Sequence, residues 1–171
     1  MIKNTISLVL CFVFYATIAQ TKQKFTISGK ALQTFAYCGG VKPSEEVLDH
    51  HKTPKPYVGK TFYIRAGKTN NLKAKVLLKF KADTAGNFSF ELPPGIYSII
   101  QEPQLKKLNV KLYKNKYVEV DETCLKNWWE KPYYLLEIKD KNISGLEFKF
   151  HHPCFMSGDI PCLHYSGPMP P

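Results

Sequence analysis

The run Lys73-Ala74-Lys75-Val76-Leu77-Leu78-Lys79-Phe80-Lys81 constrains this chain more than any other feature. Ala74, Val76, Leu78 and Phe80 fall on one side of an extended backbone. Lys73, Lys75, Lys79 and Lys81 fall on the other, broken only by Leu77. A repeat of 3.6 residues would spread those lysines around a helix, whereas a repeat of two sorts them. The same alternation occurs in Phe25, Ile27 and Ala31; in Phe62 and Ile64; in Phe88, Phe90 and Leu92; and in Tyr97 and Ile99. It returns in Tyr134, Leu136 and Ile138, then in Leu146, Phe148 and Phe150. No long stretch has helical periodicity. Seven short strands without crossover helices predict an all-β fold, a seven-stranded antiparallel β-sandwich.

The connections carry matching turn chemistry. Ala82-Asp83-Thr84-Ala85-Gly86-Asn87 supplies a glycine able to take positive φ, and Leu92-Pro93-Pro94-Gly95 a proline-preset turn. Lys139-Asp140-Lys141-Asn142 joins the last two runs. The stretch from Asp83 through Gly86, Phe88, Phe90, Leu92-Pro93-Pro94-Gly95, Tyr97 and Ile99 resembles the signature of carboxypeptidase regulatory-like domains. Ile27-Ser28-Gly29-Lys30-Ala31 fits their first strand, and Asn142-Ile143-Ser144-Gly145-Leu146-Glu147-Phe148 their last. The resemblance covers roughly residues 24–150. It implies a transthyretin-like (prealbumin-like) sandwich, similar also to Cna protein B-type repeats, and says almost nothing of activity. Two stretches depart from a minimal domain of that kind, about 38–58 and 102–131. In the second, Asp121-Glu122-Thr123 predicts a cap for a short helix through Trp129, ended by Pro132.

The amino-terminal segment reads as an address. Lys3 precedes an apolar run from Ile6 to Ile18, too short to span a bilayer, and Thr17 and Ala19 are small residues suited to a signal peptidase. Residues 1–19 are therefore expected to be a signal peptide, leaving no stable transmembrane segment after cleavage. The mature part divides into a domain over 20–150 and a Cys-, His- and Pro-rich tail over 151–171. Its four cysteines, Cys38, Cys124, Cys154 and Cys162, suit two disulfides in an exported chain, with three connectivities open. The short loop holding Ser157-Gly158-Asp159 and Pro161 favours Cys154 with Cys162, which leaves Cys38 with Cys124. The end of the tail, from His164 to Pro171, is expected to be extended.

The whole chain carries 24 basic against 14 acidic residues, a net charge of +10. Nine of the positive residues lie between Lys52 and Ala82, with no acidic one among them. Lys73, Lys75, Lys79 and Lys81 would form a one-sided ladder. It either attracts an acidic glycan, another envelope component or an acidic protein, or protects an exposed edge strand from pairing. Trp128 and Trp129 are candidate ligand-binding aromatics, with core packing the competing use. His151, His152 and His164 flank Cys154 and Cys162 and suit copper or zinc if the thiols are reduced, although the spacing matches no zinc template. Otherwise no cofactor is expected. No G-x-S-x-G, H-E-x-x-H or phosphate-binding glycine loop occurs, and Glu45-Glu46 are expected in a solvated loop. Export removes the chain from nucleic acid. The expectation is an exported, noncatalytic β-sandwich module, periplasmic, cell-surface or secreted, with a binding or structural role in the cell envelope. A transition-metal binding protein is the alternative.

Overall fold

A computed structural model describes residues 23–168. The signal-peptide reading of residues 1–19 and the last three residues of the tail lie outside them. The fold is mostly β, in several sheets. Each of the seven alternating runs forms a strand: β1 (Phe25–Phe35), β3 (Thr61–Ala66), β4 (Val76–Lys81), β5 (Asn87–Leu92), β6 (Gly95–Gln101), β8 (Tyr134–Ile138) and β9 (Ile143–His152). Three short strands are additional: β2 (Lys55–Pro56), β7 (Val118–Val120) and β10 (Leu163–Tyr165). One sheet places β1 between β9 on one side and β5 and β2 on the other; a second runs β4-β3-β6-β8; β7 and β10 pair by themselves.

The two larger sheets share one core. Ile27, Phe88, Phe90, Phe148 and Phe150 from the first meet Phe62, Ile64, Phe80, Ile99 and Leu136 from the second. Phe62 is the pivot, its ring centroid 5.0 Å from that of Phe148 and 5.1 Å from that of Phe80. The turn signature explains itself in this setting. The Asp83 carboxylate accepts the backbone N–H groups of Ala85 and Asn87, each at 2.8 Å, while Gly86 takes φ +77°. The Tyr97 hydroxyl donates to the Pro93 carbonyl at 2.9 Å, so the tyrosine locks the proline turn beneath it.

One ladder corrects the antiparallel expectation. β9 pairs with β1 in parallel, from Ile27↔Ile143 to Phe35↔His152. The turn after β8 carries the chain from one sheet to the other, so β9 reaches the free side of β1 running in the same direction. Alternation fixes which side chains face inward and is silent on strand direction.

The second departure, 102–131, covers the outer surface of the second sheet. As a result the outward-facing Ser98 and Ile100 are as buried as the inward residues of β6. The expected helix is present as α2 (Glu122–Glu130), whose Asp121 cap accepts the Cys124 N–H at 2.9 Å. Its Leu125 packs with Ile160 and Cys162 in a separate small core. A helix not expected, α1 (Glu45–Lys52), places Glu45 and Glu46 in its first turn behind the Ser44 cap. It buries no residue, which is why no apolar period announced it. Among the described residues no helix is long and apolar enough to cross a membrane.

The disulfides correct the expected pairing. Cys38 bonds to Cys154, and Cys124 to Cys162. The parallel ladder is the reason for the first: β1 and β9 run out together at Phe35 and His152, and the two cysteines follow just beyond those ends. The second follows from β10 lying antiparallel to β7, with the Asp121 N–H donating to the Cys162 carbonyl at 3.1 Å. Each departure from the minimal domain is thus fastened to the tail, not to the other departure.

Candidate functional site

The lysine ladder is shorter than its sequence pattern. β4 begins at Val76, so Lys73 and Lys75 precede it. The Asn71 side chain accepts the Lys73 N–H at 2.9 Å and the Asn71 carbonyl accepts the Ala74 N–H at 3.0 Å. A side chain that captures nearby backbone in this way competes with the sheet ladder. Lys79 and Lys81 do stand outward on β4, which is an edge strand of its sheet, and all four lysines are exposed. The Lys79 ammonium lies 5.6 Å from the Tyr63 ring centroid.

The aromatic and histidine candidates do not converge with that row. Trp128 packs against the small core around Leu125, and the Trp129 indole N–H donates to the Lys106 carbonyl at 3.0 Å. His151 and His152 are strand neighbours on opposite faces. His151 Nδ1 lies 3.0 Å from Thr34 Oγ1, and His152 Nδ1 accepts the Gly158 N–H at 3.0 Å. His164 lies on β10, opposite Glu119. Among the described residues no group of three or more His, Cys, Asp or Glu draws together as a metal site would require, and all four cysteine sulfurs are in disulfides.

A polar cluster that sequence reasoning missed lies at one end of the two-sheet core. Lys60 has the inward parity of Phe62 and Ile64; Gln101 has that of Tyr97 and Ile99; His152 has that of Phe148 and Phe150. Parity was the available signal. Lys60 is 8% exposed and donates to Gln101 Oε1 at 2.9 Å while pairing with the Asp159 carboxylate from the tail. Its ammonium also sits 4.6 Å from the Phe150 centroid and 5.1 Å from that of Tyr57. The Tyr57 hydroxyl donates to Asp159 Oδ1 at 3.2 Å. Burial, reinforced by the Asp159 charge, pushes the Tyr57 phenol up to about 12. Burial likewise takes Tyr133 to about 12, with its hydroxyl donating to the Lys149 carbonyl. Burial also lowers the Lys60 ammonium, against the pull of Asp159. Lys60, Gln101, Tyr57 and Asp159 satisfy one another, while the buried His152 Nε2 has no hydrogen-bond partner among the described residues; the cluster closes the core and seats the tail across its end.

A second buried network fixes the 102–131 segment. The Gln104 amide donates to the carbonyls of Trp128 at 3.0 Å and Lys131 at 2.7 Å, capping the end of α2. Asn70 donates to the Gln104 and Trp129 carbonyls and accepts from Arg65 at 2.6 Å. Its work is structural: it holds otherwise unmet helix carbonyls against the sheet.

Comparison with known proteins adds little to this geometry. No protein-family model matches the chain, and no curated protein is similar to it in sequence. Three solved structures are similar in part. The Bacillus anthracis TIE protein is 16% identical with a TM-score of 0.33, over 75% of this chain and 17% of that one. The shaft pilin spaA from Lactobacillus rhamnosus GG is 10% identical with a TM-score of 0.36, over 77% of this chain and 50% of that one. The major plantain pollen allergen Pla l 1 is 14% identical with a TM-score of 0.32, over 76% of this chain and 94% of that one. The chain thus spans half or less of the first two. At such identities and scores, neither ligand nor activity transfers.

Proposed function

We propose that this chain is an exported, noncatalytic β-sandwich module of the transthyretin-like type that binds an acidic component of the cell envelope. The observation that carries the reading is an imbalance of charge. The four cysteines are spent on disulfides, while Lys73, Lys75, Lys79 and Lys81 stay exposed and none of them joins a carboxylate in the ion pairs of the described residues. Disulfides persist in oxidising compartments, which supports a periplasmic, cell-surface or secreted setting. An uncompensated row of cations attracts polyanions by a long-range term that salt screens.

The test is binding of the mature protein to a panel of immobilised acidic and neutral glycans at about 20 mM and about 500 mM salt. Retention on the acidic members, lost at the higher salt, supports the reading. Absence of binding at low salt would reduce the lysines to guards of the β4 edge.

A further inference from the structure

Lys30 of β1 and Lys81 of β4 line one concavity, which also takes in an irregularity between β1 and β9. The register shifts between Ile27 and Gly29, so β9 advances from Ile143 to Leu146 against two steps on β1. Gly145 absorbs the extra residue at φ +74°. On the facing strand a Cβ on Gly29 would overlap the Leu146 carbonyl oxygen and approach the Phe88 ring to 2.7 Å. Bulges part paired strands and re-aim side chains, often beside binding sites. The residues of this irregularity line one side of a concavity of about 740 Å³, within the range of small-ligand sites.

Its lining is mixed in a telling way. The cross-strand pairs Ser28↔Ser89 and Lys30↔Asn87 supply two hydroxyls, an amide and an ammonium; Lys81 arrives from β4, and Glu147 from β9. Glu147 is already paired with Lys149 at 2.8 Å. The lining Asp83 carboxylate is turned into its own loop, on Ala85 and Asn87. The ion pairs of the described residues leave Lys30 and Lys81 unpaired. A bare polyanion would use the two ammoniums and ignore the hydroxyls and amide. A neutral sugar would do the reverse. A ligand that carries both an anionic group and neighbouring hydroxyls uses the whole lining.

We propose that this concavity binds one acidic sugar unit of an envelope glycan, its carboxylate or sulfate held between Lys30 and Lys81 and its hydroxyls by Ser28, Ser89 and Asn87. The site rests on the envelope-binding reading and narrows it, since Lys81 is the only member of the β4 row that lines the cavity.

Isothermal titration of the mature protein tests it, with a galacturonate oligomer, a heparin-type oligosaccharide, a neutral galactose oligomer and inorganic polyphosphate as probes. The Lys30→Gln/Lys81→Gln double variant weakens at least one acidic oligosaccharide roughly tenfold or more, and Lys73→Gln/Lys75→Gln changes it by less than about twofold. Ser28→Ala/Ser89→Ala weakens the same oligosaccharide roughly threefold or more and leaves polyphosphate binding unchanged. All three double variants sit on exposed or half-buried positions, and a melting temperature equal to the parent's confirms that they fold. Equal sensitivity to the two lysine pairs, or no effect of the serine variant, overturns the site while leaving an acidic-glycan binder standing. Failure of both acidic oligosaccharides to bind at low salt overturns the site together with the broader reading.

Discussion

Lys60 shows how a single charged residue is accommodated where apolar neighbours fill the row. Its stem follows Phe62 and Ile64 into the core, and its ammonium is met by Asp159, Gln101 and two aromatic faces. Removing one partner of a buried pair leaves the other desolvated and alone, which costs more than the pair itself contributes. Lys60→Met, which keeps the stem, is expected to lower unfolding stability in urea by about 2–4 kcal/mol. Lys114→Ala provides the contrast. Lys114 pairs with Glu122 at 2.6 Å with both side chains more than half exposed, and its loss should stay within about 0.5 kcal/mol. Equal costs for the two would contradict the role given to Lys60. His152 supplies a pH dependence. Burial holds its imidazole below the ordinary value near 6.5, with Asp159 opposing and Lys60 and His151 adding to the shift. Protonation would also forfeit the Gly158 N–H bond that Nδ1 accepts. The unfolded chain takes the proton at higher pH than the folded one, so this stability is complete above about 6.5 and is lost as the pH falls below it. Melting temperatures at about pH 7.5 and about pH 5 should differ more in the parent than in His152→Gln. The same difference in both would remove His152 from the account.

Among the elements, the β1–β9 ladder depends on one missing side chain. Gly29→Ala forces a Cβ against backbone that cannot swing aside, and about 2–4 kcal/mol of stability should go with it. Gly40→Ala, with open space around the new Cβ, should change stability by less than about 0.5 kcal/mol; urea midpoints of the two variants make the comparison. This ladder also marks where sequence reading stops. Phe148 and Phe150 announce a strand with one buried face, because alternation is a local consequence of the extended backbone. That β9 runs parallel to β1 depends on which sheet the chain enters after Asn142, a non-local matter that no period encodes. The Asp83–Tyr97 signature was legible because each member acts within a few residues of its partner, as the Asp83 bonds to Ala85 and Asn87 show. The alternation of lysines extends to Lys73 and Lys75 in the sequence but not in the sheet, because Asn71 diverts the backbone into a turn before β4 begins. In the candidate site, Lys81 was visible as part of the row, whereas Lys30 joins it only through the pairing of β1 with β5.

At the scale of the whole molecule, the tail returns over the end of the core and is tied down twice. Cys38–Cys154 closes 116 residues of sequence and Cys124–Cys162 closes 38, with the Lys60–Asp159 pair between those anchor points. This pattern unites the parallel ladder, the β7–β10 pairing and the polar cluster, since each brings one part of the tail to its place. It also separates the structure from the pairing that loop length alone favours. The most direct test is proteolysis of the alkylated, unreduced mature protein followed by mass spectrometry of the linked peptides. The account predicts no alkylated cysteine and two crosslinks, one joining Cys38 to Cys154 and the other Cys124 to Cys162; a crosslink between Cys154 and Cys162, or free thiols at these positions, would contradict it.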